Sequence, residues 1–322
     1  MRMNNILITS AGQRVTLVEI FKNTLKELRL DGKVYTTDMN PRLSPAGYVS
    51  EKCFKVCRCT APEYIDTLLE ICEKNGIRIV IPTIDTELMV LARNKRRFKE
   101  AGIDVIVSDE AFIKACRDKR NTMELFDKMN IAYPKPIDKF HPVFPLFAKP
   151  YDGSLSTNLH VIRSQEEMTE EIMNDPKLLF MQYVDPKVYK EFTVDLYYGK
   201  DYRLKCIVPR ERIKIRAGEI NKGITRKNAI VPYLYERMAT IPGAIGTMCI
   251  QLFYREADGE VLGIEINPRF GGGYPLTYYA KANYAEYIIR EYLLGETIAY
   301  SEDWIDKTLM LRYDKDVIVY EK

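Results

Sequence analysis

Short aliphatic runs alternate with amphipathic stretches over the first hundred positions. Ile6-Leu7-Ile8, Lys33 to Thr37, Ile77 to Pro82 and Val105-Ile106-Val107 read as buried strands, while Val15 to Leu28, Pro62 to Lys74 and Asp85 to Ala101 carry apolar residues at helical spacing. Strands that alternate with helices imply a doubly wound parallel sheet. The pattern changes after a boundary near Ser108 to Lys114. A helix opens at Asp118-Lys119 and runs through Met129, Pro134 and Pro136 end it, and Pro142 and Pro145 mark a loop. Leu146 to Lys149, His160-Val161-Ile162 and Leu179 to Val184 read as strands around a helix from Ser164 to Met173. From Lys190 to Leu196 polar and apolar residues alternate, as in a strand with one polar face. Tyr233 to Ile241 is helical, and Cys249 to Arg255 and Glu260 to Ile266 form a hairpin across the Asp258-Gly259 turn. An aromatic-rich helix from Pro275 to Leu294, with Tyr278, Tyr279, Tyr284 and Tyr287 packing the core, and a strand from Val317 to Tyr320 complete the pattern.

Composition narrows the function classes. At 322 residues the chain is long enough for two or three domains. Its 48 basic and 45 acidic residues leave a net charge of +3, too balanced to argue for nucleic acid; the basic cluster Arg93 to Lys99 reads as a solvated helix face. No apolar stretch approaches the length of a membrane span, and no secretory pattern precedes the first strand, so a cytoplasmic location is expected. Seven cysteines, an odd number, do not form a disulfide framework. Cys53, Cys57 and Cys59 lack a C-x-x-C pair and read as small strand residues. With His141 and His160 outside any metal or triad motif, imidazole-based sites are not indicated.

The densest chemistry lies on the hairpin. Side chains alternate faces along a strand, so Gln251 shares a face with Cys249 and Phe253, and Glu265 shares one with Asn267. Glu265-Ile266-Asn267-Pro268-Arg269 follows Gln251 by fourteen residues and leads into Gly271-Gly272-Gly273. A few carboxylate and amide oxygens, with the other positions left to water and phosphate, suit magnesium in a nucleotide site. Arg269 adds a planar fork of donors suited to phosphate.

Gln251 followed by Glu-x-Asn-Pro-Arg resembles the metal-binding hairpin of the ATP-grasp ligases, most of all their carbamoyl-phosphate synthetase large-subunit branch. The resemblance covers nearly the whole chain. It implies an α/β ATP-grasp fold: an N-terminal doubly wound parallel domain over 1–113, then an ATP-grasp domain over 114–322. Within the latter, a small α+β lid subdomain would span about 133–185 and a C-terminal antiparallel-sheet subdomain about 186–322.

Roles follow from the same resemblance. Lys119 meets a phosphate of ATP. Lys149 and the small-residue loop after it, with Ser154, cover the triphosphate, where positive charge and close backbone amides are needed; Leu155, Thr157 and Asn158 stand where the family usually carries glycine. Gln182 and the backbone of Tyr183 and Val184 read the adenine edge, and Glu191 takes the ribose hydroxyls. Arg210, and in second place Arg216, sit beside the transferring phosphoryl group or the substrate carboxylate. Gln251, Glu265 and Asn267 hold two magnesium ions, bridged by Glu265, with manganese able to substitute. The implied reaction joins a carboxylate to a nucleophile, most often an amine, through an acyl phosphate, releasing ADP and phosphate. Lys149, Arg210 and Arg269 neutralise the phosphoryl oxygens. Its partners are small-molecule carboxylates and amines, with no nucleic acid and no membrane; a homodimer is left open.

Two other classes remain. Thr9-Ser10-Ala11-Gly12-Gln13 occupies the strand-to-helix turn of dinucleotide folds and Asp38 ends the second strand, as in a nicotinamide-dependent oxidoreductase; yet the turn has one glycine where that fingerprint needs three. The glycine-poor lid loop allows a nucleotide-binding module without turnover. Pro82 to Glu87 resembles the loop closing the third strand of the synthetase-like branch, with Thr83 placed to cap the next helix and acids at its positive end.

Overall fold

The computed structural model describes residues 3–151, 158–216 and 218–320, and these form three sheets. The first is parallel: β1 (Asn5–Ile8), β2 (Val34–Asp38), β3 (Cys53–Lys55), β4 (Ile77–Ile81) and β5 (Asp104–Val105) lie in the order β3-β2-β1-β4-β5. Helices α1 (Val15–Glu27), α2 (Pro45–Val49), α3 (Tyr64–Lys74) and α4 (Asp85–Glu100) connect them. All four residues of β1 are buried, because both faces are covered: Ile6 and Ile8 pack with Leu17, Val18 and Phe21, and Leu7 packs with Leu68, Leu88 and Leu91. β3 is a strand the pattern did not show, since Cys53 and Phe54 are only partly buried and Lys55 is exposed. It takes up Cys53, whereas Cys57 and Cys59 follow in a loop.

Strand order reverses between β1 and β4, and the turns after these two strands stand side by side. Thr83 does not cap α4. Its hydroxyl donates to the carbonyls of Thr9 (2.9 Å) and Ser10 (2.8 Å), tying the two turns together. Glu87 does the capping instead, accepting from the amides of Thr83 (2.8 Å) and Ile84 (3.2 Å), and also from Ser10 Oγ and Tyr64 Oη. Burial raises the Glu87 pKa, and these four donors oppose the rise.

The segment expected to mark a boundary carries α5 (Glu110–Arg117), with Phe112, Ile113 and Cys116 buried; α6 (Lys119–Lys128) follows at once, its first turn capped by Asp118. The second sheet is small and antiparallel, with β6 (Leu146–Pro150), β7 (His160–Ile162) and β8 (Leu178–Gln182) in the order β7-β6-β8. Between β7 and β8 the expected helix is a 3₁₀ turn followed by α7 (Glu170–Asn174). Leu146, Ala148, Ile162, Leu178 and Phe180 build this sheet's own core, so alternation sends Phe147 and Lys149 to its other face.

The third sheet is antiparallel and long: β9 (Lys190–Tyr198), β10 (Leu204–Arg216), β11 (Glu219–Thr225), β12 (Gly246–Arg255), β13 (Glu260–Asn267) and β14 (Leu309–Leu311) lie in the order β13-β12-β9-β10-β11-β14. Helix α8 (Ile230–Met238) packs on β10. The hairpin forms as expected, with Gln251 opposite Glu265 and Gly259 at φ +79° in its turn. The aromatic stretch is not one helix. It divides into α9 (Tyr274–Tyr279) and α10 (Tyr284–Ile289), followed by a π-helical turn to Leu294, with Lys281 at φ +76° where the first piece ends. Tyr284 is buried and Tyr278 and Tyr287 pack against the core, whereas Tyr279 is exposed. Residues 317–320 are exposed and form no strand; the last strand is β14. Among the described residues no helix is long and apolar enough to cross a membrane.

Candidate active site

A cavity of about 790 Å³ is lined from all three sheets. One end lies at the strand-order reversal of the parallel sheet, against Arg14 and Thr83 to Thr86. The other lies between the small sheet and the long one, against Phe147, Lys149, Tyr183 and Val184.

Strand register assembles its floor. Glu265 of β13 is opposite Gln251 of β12, Gln251 is opposite Thr193 of β9, and Thr193 is opposite Arg210 of β10. One row thus carries a carboxylate, an amide, a hydroxyl and a guanidinium across four strands. The adjacent row carries Asn267, Cys249 and Asp195. Because residues two apart share a face, both rows belong to one surface.

The three expected metal ligands come together. Asn267 Nδ2 donates to Glu265 Oε1 (2.9 Å) and Gln251 Nε2 donates to Glu191 Oε1 (3.0 Å), bonds that use the amide nitrogens and not the amide oxygens. Glu191 is raised in pKa by burial; Arg212 opposes this and the Glu265 carboxylate adds to it. Two mutually repelling carboxylates beside two amide oxygens fit a hard divalent cation that takes its remaining ligands from phosphate and water. Among the described residues no cluster of three or more His, Cys, Asp or Glu side chains offers an all-protein cage.

Lys149 faces this hairpin from β6. Burial pushes its ammonium down to about 8, Glu265 pulls it up, and Lys119 pushes it down. Two lysines and one carboxylate therefore converge where a polyphosphate would be neutralised. The Lys119 amide donates to the carbonyl of Tyr151 (3.1 Å), fixing the start of α6 against the end of β6. Ser154 lies outside the described residues.

Tyr183 and Val184 line the cavity just beyond β8, and among the described residues their amides donate no backbone hydrogen bond. Gln182 is tied elsewhere: its amide donates to Lys135 O (2.7 Å) and its Oε1 accepts from the Lys135 amide (3.5 Å). Gln182 nevertheless lines the cavity together with Tyr183 and Val184.

Arg210 and Arg216 part ways. Arg210 is 1% exposed and donates from Nη2 to Asp195 Oδ1 (2.7 Å); its Nε has no partner among the described residues. Arg216 is exposed, lies outside the cavity lining and is ion-paired to Asp314. Register shifts between Arg212 and Lys214 and between Lys214 and Ile215 break the two-residue alternation, so Ile215 lines the cavity in its place. Arg212 lines the cavity as well. Its side chain is 6% exposed and pairs with Glu191 (3.3 Å). Its spacing of two from Arg210 on an alternating strand was the signal for it.

The glycine run closes against this floor. A Cβ on Gly272 would fall 2.0 Å from Glu219 Oε1, and one on Gly273 would fall 2.1 Å from Arg210 Nη1. Arg269 forks onto Asp85, Nε to Oδ1 (3.0 Å) and Nη2 to Oδ2 (2.8 Å), joining the hairpin to the start of α4. Sequence reasoning missed Arg14, Asp85 and Glu219 as cavity residues, because nothing local distinguishes them from surface charge. Asp38, the acid that kept a nicotinamide site in view, accepts from the amides of Gly12 (3.2 Å) and Asn40 (2.8 Å) and is taken up by its own turn.

Comparison with known proteins agrees with this geometry. Residues 6–106 match the family described as PylC-like, N-terminal domain, and residues 174–313 match the family described as ATP-grasp in the biosynthetic pathway with Ter operon. No curated protein matches the chain in sequence. Solved structures share the fold. N5-carboxyaminoimidazole synthetase from Staphylococcus aureus complexed with ADP superposes with a TM-score of 0.70 at 13% identity, over 97% of this chain and 81% of that one. The biotin carboxylase domain of Hydrogenobacter thermophilus 2-oxoglutarate carboxylase, in complex with MgADP, ADP and bicarbonate, gives 0.69 at 14% identity over 95% and 73%. L-amino acid ligase from Bacillus licheniformis gives 0.67 at 17% identity over 91% and 75%. Residues 174–313 thus carry an ATP-grasp domain behind a PylC-like N-terminal domain, and the chain as a whole has the ATP-grasp ligase fold.

Proposed function

We propose that the protein joins a small-molecule carboxylate to an amine at the expense of ATP, through an acyl phosphate. The observation that carries this reading is the convergence of Lys149 on Glu265, with Gln251 and Asn267 beside it on one face of the sheet. ATP and magnesium are the cofactors expected of the family. Adenine would sit against the backbone of Tyr183 and Val184, with Glu191 near the ribose. Lys119 and Lys149 would hold the polyphosphate, and Glu265, Asn267 and Gln251 would hold the cation, whose contribution when bound is to neutralise charge on the phosphoryl oxygens.

A carboxylate oxygen of the acceptor attacks the γ-phosphorus and ADP departs. The amine then attacks the acyl carbon, and phosphate leaves with one oxygen of the original carboxylate as the amine loses a proton. No protein nucleophile is needed; orientation and charge neutralisation do the catalysis. Arg210, held by Asp195, and Arg269, held by Asp85, are the guanidiniums placed to receive the developing charge.

A screen of pooled carboxylates and amines for ADP release tests the activity, and oxygen-18 in the active carboxylate tests the route. The label should appear in inorganic phosphate, and Glu265→Gln should lose most turnover while remaining folded. Label in AMP would replace acyl phosphate by acyl adenylate chemistry. ATP binding with no carboxylate-stimulated turnover would favour a non-catalytic nucleotide module.

A further inference from the structure

At the parallel-sheet end of the cavity Arg14, Arg269, Asp85 and Glu219 are lining residues, and Arg312 adds a third guanidinium bonded to Glu219. Arg14, Arg269 and Arg312 interact electrostatically there, with Asp85 and Glu219 as the nearby carboxylates. Two of the three arginines are matched: Arg269 forks onto Asp85, and Arg312 donates to Glu219 Oε2 (2.8 Å) and to the carbonyl of Gly272. Burial pushes Glu219 up in pKa, but Arg14, Arg312 and Arg269 together outweigh burial and hold it below the usual range. Its charge is therefore already shared. The Arg14 guanidinium, among the described residues, donates no hydrogen bond to protein. Burial lowers its pKa, Glu219 opposes that, and Arg269 and Arg312 add to it. A guanidinium stays protonated regardless, so a partly buried cation lines the cavity with its donors unspent on protein, an arrangement that an anion would complete.

Its place in the fold says which ligand that anion belongs to. Arg14 and Thr83 follow neighbouring strands β1 and β4, where the order of the sheet reverses, the position at which open parallel sheets bind ligands. Arg269 interacts with both Arg14 and Glu265, and its fork onto Asp85 ties the end of the hairpin to the parallel domain. Arg14 thus lines the cavity with the parallel-sheet turns, whereas Lys149, Tyr183 and Val184 line it from the small sheet.

We propose that Arg14 receives a second anionic group of the acceptor, a carboxylate or a phosphate distinct from the carboxylate that is activated. The acceptor is then a molecule with two anionic ends. This inference rests on the ligase reading above and deepens it.

The test is calorimetric titration of MgADP-loaded protein with two matched pairs: glutarate against pentanoate, and 3-phosphoglycerate against glycerate. In wild type one dianion should bind about ten- to a hundredfold more tightly than its partner, the range for one charge-assisted contact. The pair that shows the advantage identifies carboxylate or phosphate. Arg14→Gln should abolish the advantage while keeping MgADP affinity and a cooperative melt, lowered only by the attraction to Glu219 that is lost. Equal binding within both pairs, an advantage that survives in Arg14→Gln or weakened MgADP binding would each overturn the proposal. Carboxylate-stimulated ADP release by the wild type, measured separately, decides the ligase reading itself.

Discussion

Lys149 is held between opposed demands. Its pKa near 8 in the free protein reflects burial first, then the pull of Glu265 and the push of Lys119. A bound triphosphate favours the charged amine, so the pKa in the complex is higher than in the free protein. Below pH 8 the amine is protonated in both states and MgATP affinity should be flat. Above pH 8 binding must take up a proton, and affinity should fall by up to about tenfold per pH unit until the pKa of the complex is passed. Lys149→Arg, charged throughout, should give a flat profile. Titrations across this range check it, and a flat wild-type profile would remove Lys149 from the phosphate site. The residue was legible from sequence because a lysine ends an apolar strand just before small residues. Arg14 and Glu219 were not, since their meaning depends on neighbours more than a hundred positions away.

The long antiparallel sheet is the element that turns separate motifs into a site. Its register places Glu265, Gln251, Thr193 and Arg210 in one row, and the bulges in β10 send Arg216 outward after Arg212. The weight of that row rests on the pair Arg210 and Asp195, 1% and 2% exposed, with Thr277 also donating to the Asp195 carboxylate. Removing one partner of a buried ion pair strands the other charge, at a cost of about 3–5 kcal/mol. Asp195→Asn should therefore lower stability by an amount in that range, read from the urea midpoint. A change under about 1 kcal/mol, the scale of an exposed pair, would show that Arg210 is solvated instead.

At the scale of the molecule the cavity depends on Asp85 and Arg269, which join the parallel domain to the metal hairpin across 184 residues of sequence. Their side chains are 22% and 17% exposed, intermediate between a surface pair and a buried one. A double-mutant cycle of Asp85→Asn and Arg269→Gln should give a coupling of about 1–3 kcal/mol in chemical denaturation, as expected for hydrogen-bonded charges in contact. Additive effects would mean that the two domains do not rely on this contact. The same pair joins the parallel-sheet end of the cavity to the hairpin, so loosening it should reduce ADP release beyond what the lost stability explains.

The local pattern was enough for the parallel sheet, the hairpin, the helix opening at Lys119 and the shared face of Gln251, Glu265 and Asn267, because periodicity and turn chemistry are properties of neighbouring residues. It missed β3, where Cys53 and Phe54 are only partly buried and Lys55 is exposed, and it merged α9 and α10, where a positive φ at Lys281 interrupts an otherwise helical run. Which arginine enters the cavity was decided by strand register and bulges, and which one donates no hydrogen bond to protein among the described residues was decided by the packing of two domains. Electrostatic pairing acts through space between residues distant in sequence, so only the tertiary structure could assign Arg212, Arg269 and Arg14 their different surroundings.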